Sequence, residues 1–332
     1  MHYFFLLPSL LLSLTLTAQL DDGPAMAGDS LGELSDTTIY PFVAYWSVGD
    51  TYTYEITKIE NREHNGELTK ADTNIYRSSL EVLDSTADSY LIRYTFGDQL
   101  KSTQTDLPEE IVASMADLPA LQSITYRTNE LGTFERLENW QGFATAMDSL
   151  FEQVLVLLKD ESVPDSLLRR ALQPMRNMYT SEAGILNKII SEIAVLHSPF
   201  GYEYRVGDTL LYNIPIANLI GDRPIDTENV LYVEDTDWAE DYIELRHFTN
   251  LTPDGAEAMV ELITQAFPGI TDSPEMQEVL ATTTVTLNDD NWSAYYNYPG
   301  IPVMIDNDRL VVIQFGEDEE RLITKLVVRW VD

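Results

Sequence analysis

The sequence predicts an α+β protein, with one large curved antiparallel sheet built from two related, duplicated halves and helices packed on one face. Three observations lead there. Alternating apolar and polar runs bounded by Gly, Asn-Gly and Asp-rich turns fill the early and late parts of the chain. A block with helical periodicity separates them. A nine-residue motif occurs twice: Val48 to Ile56 and Val206 to Ile214 agree at six of nine positions, and Thr105-Asp106-Leu107-Pro108-Glu109 is echoed by Thr271-Asp272-Ser273-Pro274-Glu275 in the same order.

Taken in order, residues 1–18 carry a leucine-rich run from Phe4 to Leu16 ending at Ala18, the layout of a cleaved secretory signal, and too short to span a bilayer. Residues 19–36, rich in Asp, Gly, Ala and Ser, read as a flexible acidic leader. The first β-rich half is expected over 37–140. Gly49-Asp50 makes a turn, and the strand after it places Tyr52, Tyr54 and Ile56 on one face. Asn65-Gly66 is a two-residue hairpin turn, and strands follow near 75–83, 89–96 and 122–127. A helix opening at Pro108 is expected before the last of these, with its counterpart at Pro274.

The helical block spans 141–199. From Trp140 to Lys159 a stripe of Phe143, Met147, Leu150, Phe151, Val154, Leu155 and Leu158 recurs at helical spacing; two further segments follow, and Pro174 is expected to kink or split the first of them. The second half, 200–332, repeats the plan. Leu210, Tyr212 and Ile214 face inward, strands follow near 229–234 and 241–249, Thr252-Pro253-Asp254 starts a helix, and three strands end the chain. Asp306-Asn307-Asp308 and Gly316 to Glu320 read as the loops between those last strands. Two separate domains joined near residue 200 is the competing arrangement.

The chain has no cysteine, which excludes disulfides, thiolate metal sites and a lipid-anchored N-terminus. A soluble exported protein, periplasmic or extracellular, is expected. With 55 acidic against 20 basic residues and a formal charge of −35, nucleic acid and anionic membranes are expected to be repelled, and no membrane insertion is expected. The charge reads first as a solvated acidic surface. A sharper reading is cation binding by the acidic segments 234–237, 289–291 and 306–308, none of which has the glycine and distal glutamate of a calcium-binding hand.

Motifs for serine hydrolases, zinc proteases, phosphate loops and dinucleotide binding are absent. No catalytic, cofactor-binding or metal-ligating residue is singled out, no cofactor is expected, and the protein reads as a non-enzyme. His64 reads as a turn residue, His197 as a helix-terminal one and His247 as a strand residue sharing a face with Leu245. The aromatic strand positions Tyr52, Tyr54 and Tyr212, together with His247, are the candidate ligand contacts.

The Trp46-x-x-Gly49-Asp50-x-Tyr52-x-Tyr54 opening, the Asn-Gly hairpin, and the passage from Thr128-Asn129-Glu130-Leu131-Gly132 to Asn139-Trp140 resemble exported proteins common in Bacteroidetes that share a domain of unknown function. The resemblance implies an envelope protein and transfers no functional residue. Three functions are weighed. The first is a non-catalytic binding module for an apolar small molecule, a lipid or a peptide, with a lined cavity. The second is an envelope protein that binds or supports another envelope protein without a cavity. The third is a carboxylate-based hydrolase.

Overall fold

The computed structural model describes residues 39–97, 115, 118–157, 165–188, 190–216, 224–237, 239–266 and 274–331. The expected signal peptide and leader, and the helix expected at Pro108, lie outside them.

The described chain is mostly antiparallel β, so the α+β expectation is corrected: an eleven-stranded sheet dominates and the helices are small. The strands are β1 (Ile39–Pro41), β2 (Thr51–His64), β3 (Glu67–Ser85), β4 (Ser89–Thr95), β5 (Ser123–Asn129), β6 (Phe134–Leu137), β7 (Glu203–Arg205), β8 (Thr209–Ile216), β9 (Ile225–Asp237), β10 (Tyr242–Leu251), β11 (Thr284–Tyr296), β12 (Ile301–Phe315) and β13 (Asp318–Trp330). The large sheet has the order β6-β5-β4-β3-β2-β13-β12-β11-β10-β9-β8, and β1 pairs with β7 apart from it. The helices are α1 (Trp140–Leu157), α2 (Asp165–Thr180), α3 (Glu182–Lys188), α4 (Ser191–His197), α5 (Pro253–Ala266) and α6 (Pro274–Ala281).

The physical reason for the correction lies in polar strand faces. A strand exposing one face to water tolerates acidic residues at every second position, and such runs imitate loops. Asp306-Asn307-Asp308 and Asp289-Asp290-Asn291 sit inside β12 and β11, and residues 234–237 close β9. The two terminal strands expected around 306–308 are therefore one. Position 174 does not interrupt α2, whereas the last helical segment is divided into α3 and α4.

The chain divides into two compact units of interleaved segments: 43–57, 74–201 and 328–332 form one, and 1–42, 58–73 and 202–327 the other. The sequence echo survives as local chemistry. Gly49 and Gly207 have φ of 94° and 91°, a region open to glycine, and each is followed by an Asp whose N–H donates to the carbonyl three residues back.

In the unit containing 74–201, the inward strand residues Tyr54, Ile56, Tyr76, Val82, Ile92, Tyr94 and Tyr126 are buried, as are Phe143, Met147, Leu150, Phe151 and Leu155 of the α1 stripe. Phe96 meets Phe143 at 5.6 Å between ring centroids. Each large apolar side chain sealed this way contributes about 1.5–3 kcal/mol. Two buried ionisable groups, Glu192 and His197, have their polar partners inside this core. Glu192 is fully buried and accepts hydrogen bonds from the hydroxyls of Tyr76, at 3.1 Å, and Tyr94. His197 Nδ1–H donates to the Gly132 carbonyl at 2.8 Å, while its Nε2 takes the Tyr126 hydroxyl at 2.8 Å.

In the unit containing 202–327, one face of the sheet is covered. Ala258, Met259, Leu262 and Ile263 of α5 pack with Ile216, Ile225, Leu287, Val311 and Ile313. The Thr252 hydroxyl caps α5 by accepting from Gly255 N–H at 3.0 Å, and Thr252 N–H donates to the Asp226 carbonyl. A Cβ on Gly255 would stand 2.0 Å from that same carbonyl, so only glycine lets the helix approach so closely. Farther along the face, Phe42 meets Tyr204 and Tyr295 edge to face.

Candidate functional site

The opposite face of β9 to β12 in this unit is open, and its alternation brings together a set of ionisable side chains. On β10, Ile243, Leu245 and His247 point to the covered side, which puts Glu244 and Arg246 on the open one. The pairing sets Trp292 of β11 opposite Arg246, and Asp306 of β12 opposite Trp292; Asp290 and Asp308 form the next row. Between β9 and β10 the register slips: Leu245 pairs with Val233 and Glu244 with Asp235, which leaves Glu234 as the extra residue of a β-bulge. A bulge re-aims a side chain, and Glu234 joins the others around a shallow, open depression of about 390 Å³ lined by Glu234, Glu244, Arg246, Asp290, Trp292, Asp306 and Asp308.

The groups are held in place. Trp292 Nε1–H donates to Glu244 Oε2 at 3.0 Å, and the Tyr242 hydroxyl donates to Oε1 of the same carboxylate at 3.0 Å. Arg246 Nη2 reaches Asp290 Oδ2 at 2.5 Å, and its guanidinium lies over the Phe248 ring at 5.4 Å. Lys325 Nζ bridges Asp306 at 2.6 Å and Asp308 at 3.1 Å. Hydrogen bonding to Asp306 first, then to Asp308, holds the Lys325 ammonium above its ordinary proton affinity. Five carboxylates against Arg246 and Lys325 leave a net negative, hydrogen-bonding surface with one indole as its apolar element.

Among the described residues no group of three His, Asp or Glu side chains is arranged to hold a metal ion. The acidic segments expected to act as cation-binding loops are strands, whose alternation sends neighbouring carboxylates to opposite faces: Asp290 points out, while Asp289 pairs with Arg309 on the covered side.

The four expected ligand contacts fall in both units. Tyr52 donates to Asp50 Oδ2 at 3.2 Å, and Tyr54 is buried in the core of its unit. Tyr212 and His247 do meet: the Tyr212 hydroxyl is 3.1 Å from His247 Nε2, and the rings stack at 6.1 Å. Burial holds the His247 imidazole below its ordinary proton affinity and the Tyr212 phenol above its own. His64 Nδ1 faces Glu320 at 2.6 Å, but its other nitrogen meets the Asn65 amide instead of a hydroxyl nucleophile. The depression was missed because Asp306 and Asp308 were read as a turn. The i, i+2 spacing of two acids between Pro302–Ile305 and Leu310–Phe315 is the signal that finds it.

No protein-family model matches the chain, and no curated protein does. Among solved structures, one match is Ail, the attachment invasion locus protein of Yersinia pestis, at 5% identity over 86% of this chain and 99% of that one. The TM-score of 0.14 is too low for any conclusion about fold or function.

Proposed function

We propose that this is an exported, non-catalytic binding protein whose open acidic depression takes a basic peptide segment. The observation that carries the reading is the convergence, from four adjacent strands, of Glu234, Glu244, Asp290, Asp306 and Asp308 around the Trp292 indole. A lysine or arginine side chain complements the excess of carboxylates here: it brings further N–H donors, a positive charge beyond those of Arg246 and Lys325, and a methylene stem to lie against the indole. The overall charge of −35 adds long-range attraction for such a partner. Uncharged sugars also use indole platforms and donate hydroxyls to carboxylates, but they leave the excess negative charge of this surface unbalanced.

Isothermal titration of the protein with a Lys- and Arg-containing hexapeptide and with its Glu-substituted counterpart tests this. Saturable binding of the basic peptide only, weakening as salt rises and lost in an Asp306→Asn, Glu244→Gln double variant, is expected. Equal binding of both peptides, or an unaffected double variant, sinks the reading.

A further inference from the structure

The open face does not end at the carboxylates of the depression. Residues paired across antiparallel strands share a face, so the registers carry each row on toward the sheet edge at β8. One row runs Asp308, Asp290, Phe248, Val230, Leu211 from β12 to β8, and the row beside it reaches Tyr232 through Arg246. The first row changes character at β10: carboxylates stand on β12 and β11, apolar side chains on β9 and β8.

Leu211 is 74% exposed, more than any other large apolar side chain among the described residues. Val230, Tyr232 and Phe248 beside it are half-buried. The Tyr232 and Phe248 rings stack with centroids 6.4 Å apart, and the Arg246 guanidinium lies over Phe248 at 5.4 Å, so the apolar strip is braced where it meets the charged groups. In a chain with 55 acids, β8 from Thr209 to Ile216 carries no charged residue at all, and so lacks the charges that ordinarily keep an edge strand from contact. An apolar strip continuous with an acidic depression calls for a partner that carries both complements.

The spacing of those complements follows from the sheet. Neighbouring strands lie about 4.8 Å apart, so Leu211 on β8 stands three spacings, about 14 Å, from Asp290 on β11. An extended segment laid across the strands covers that span in four residues of about 3.4 Å each, and its first and fifth side chains point the same way. A helix covers it in about nine residues, two and a half turns, which aims the second side chain away from the sheet. We infer that the partner of this face is an extended segment with a basic and an apolar residue separated by three others, the basic side chain entering the acidic depression and the apolar one resting on Leu211 and Val230. The inference rests on the depression taking a basic side chain and adds the spacing and the second anchor.

The test is isothermal titration of the full chain with end-capped peptides of Ser and Thr that carry Arg alone, Arg with Leu four residues on, Leu with Arg four residues on, or Arg with Leu three residues on. The face fixes the spacing and not the chain direction, so one of the two four-residue peptides should bind about tenfold tighter than Arg alone, a change of about 1.4 kcal/mol. The three-residue spacing turns the leucine to the other side of the segment and should return the affinity to that of Arg alone. Leu211→Thr, an exposed change that keeps a strand-forming residue, should remove the gain and leave the affinity for the Arg-only peptide unchanged. Asp306→Asn should weaken all four peptides alike. Equal affinity at the two spacings, or an undiminished gain in Leu211→Thr, overturns the inference while the acidic depression keeps its function. No saturable binding of any of the four overturns both.

Discussion

The two units handle ionisable side chains in opposite ways. In the unit containing 74–201, Glu192 and His197 are sealed in the core and each has its partners there: two tyrosine hydroxyls for the carboxyl, a carbonyl and a hydroxyl for the imidazole. In the unit containing 202–327, Glu234, Glu244, Asp290, Asp306 and Asp308 share an open face with only Arg246 and Lys325 to balance them. Burial converts a polar group into a structural commitment, since losing its partner leaves it with neither water nor a bond. Exposure keeps the same chemistry available to a partner and makes it cheap to alter. The difference teaches where to look for function in an acidic protein: among charges whose removal leaves the fold standing.

The contrast can be broken by mutation. The largest effect is expected from Glu192→Ala, which removes the buried carboxyl that accepts from both the Tyr76 and Tyr94 hydroxyls; a loss of about 3–5 kcal/mol in urea unfolding is expected. A loss under 1 kcal/mol means that water reaches the site and the core is not sealed.

Acid should act next. Burial lowers His197 from 6.5 to about 4, so the folded state resists a proton that the unfolded chain accepts. Its contribution is complete above pH 6.5, is lost as pH falls from there to about 4, and amounts to about 3 kcal/mol. The difference in unfolding free energy between wild type and His197→Gln should therefore shrink across that window. A constant difference contradicts the sealed imidazole.

Gly255→Ala, in the other unit, pushes a methyl into the Asp226 carbonyl and should cost about 1–3 kcal/mol, read as a lower urea midpoint. The smallest effect belongs to the open face: Asp306→Asn should change stability by less than about 0.5 kcal/mol while weakening capture of a basic peptide. A large stability loss there makes the Lys325 bridge part of the scaffold and erases the comparison.

Legibility in the sequence follows the same divide. Period-two burial of Tyr54 and Ile56, the Gly49 and Gly207 turns, and the α1 stripe were all readable, because apolar spacing reports directly which side meets a core. The share of β structure was not, since Asp306, Asn307 and Asp308 carry turn chemistry in a strand whose exposed face needs no apolar residue. The acidic depression needs cross-strand register, which a one-dimensional pattern of 55 acids does not hold. Tyr212 and His247 were brought together because each sits at an inward position on a strand flanking β9; Tyr52 and Tyr54 shared the pattern but not the place.

The bulge at Glu234 has a bearing on how this surface changes over generations. Because that residue is surplus to the ladder, removing its single codon would regularise the pairing of Asp235 with Glu244 and Val233 with Leu245 without moving either inward set. One acid would vanish from the rim and the core would keep its register. The bulge is thus a place where inheritance can adjust the charge offered to a partner by deletion alone, in a protein where most other insertions or deletions within strands would turn an apolar face toward water.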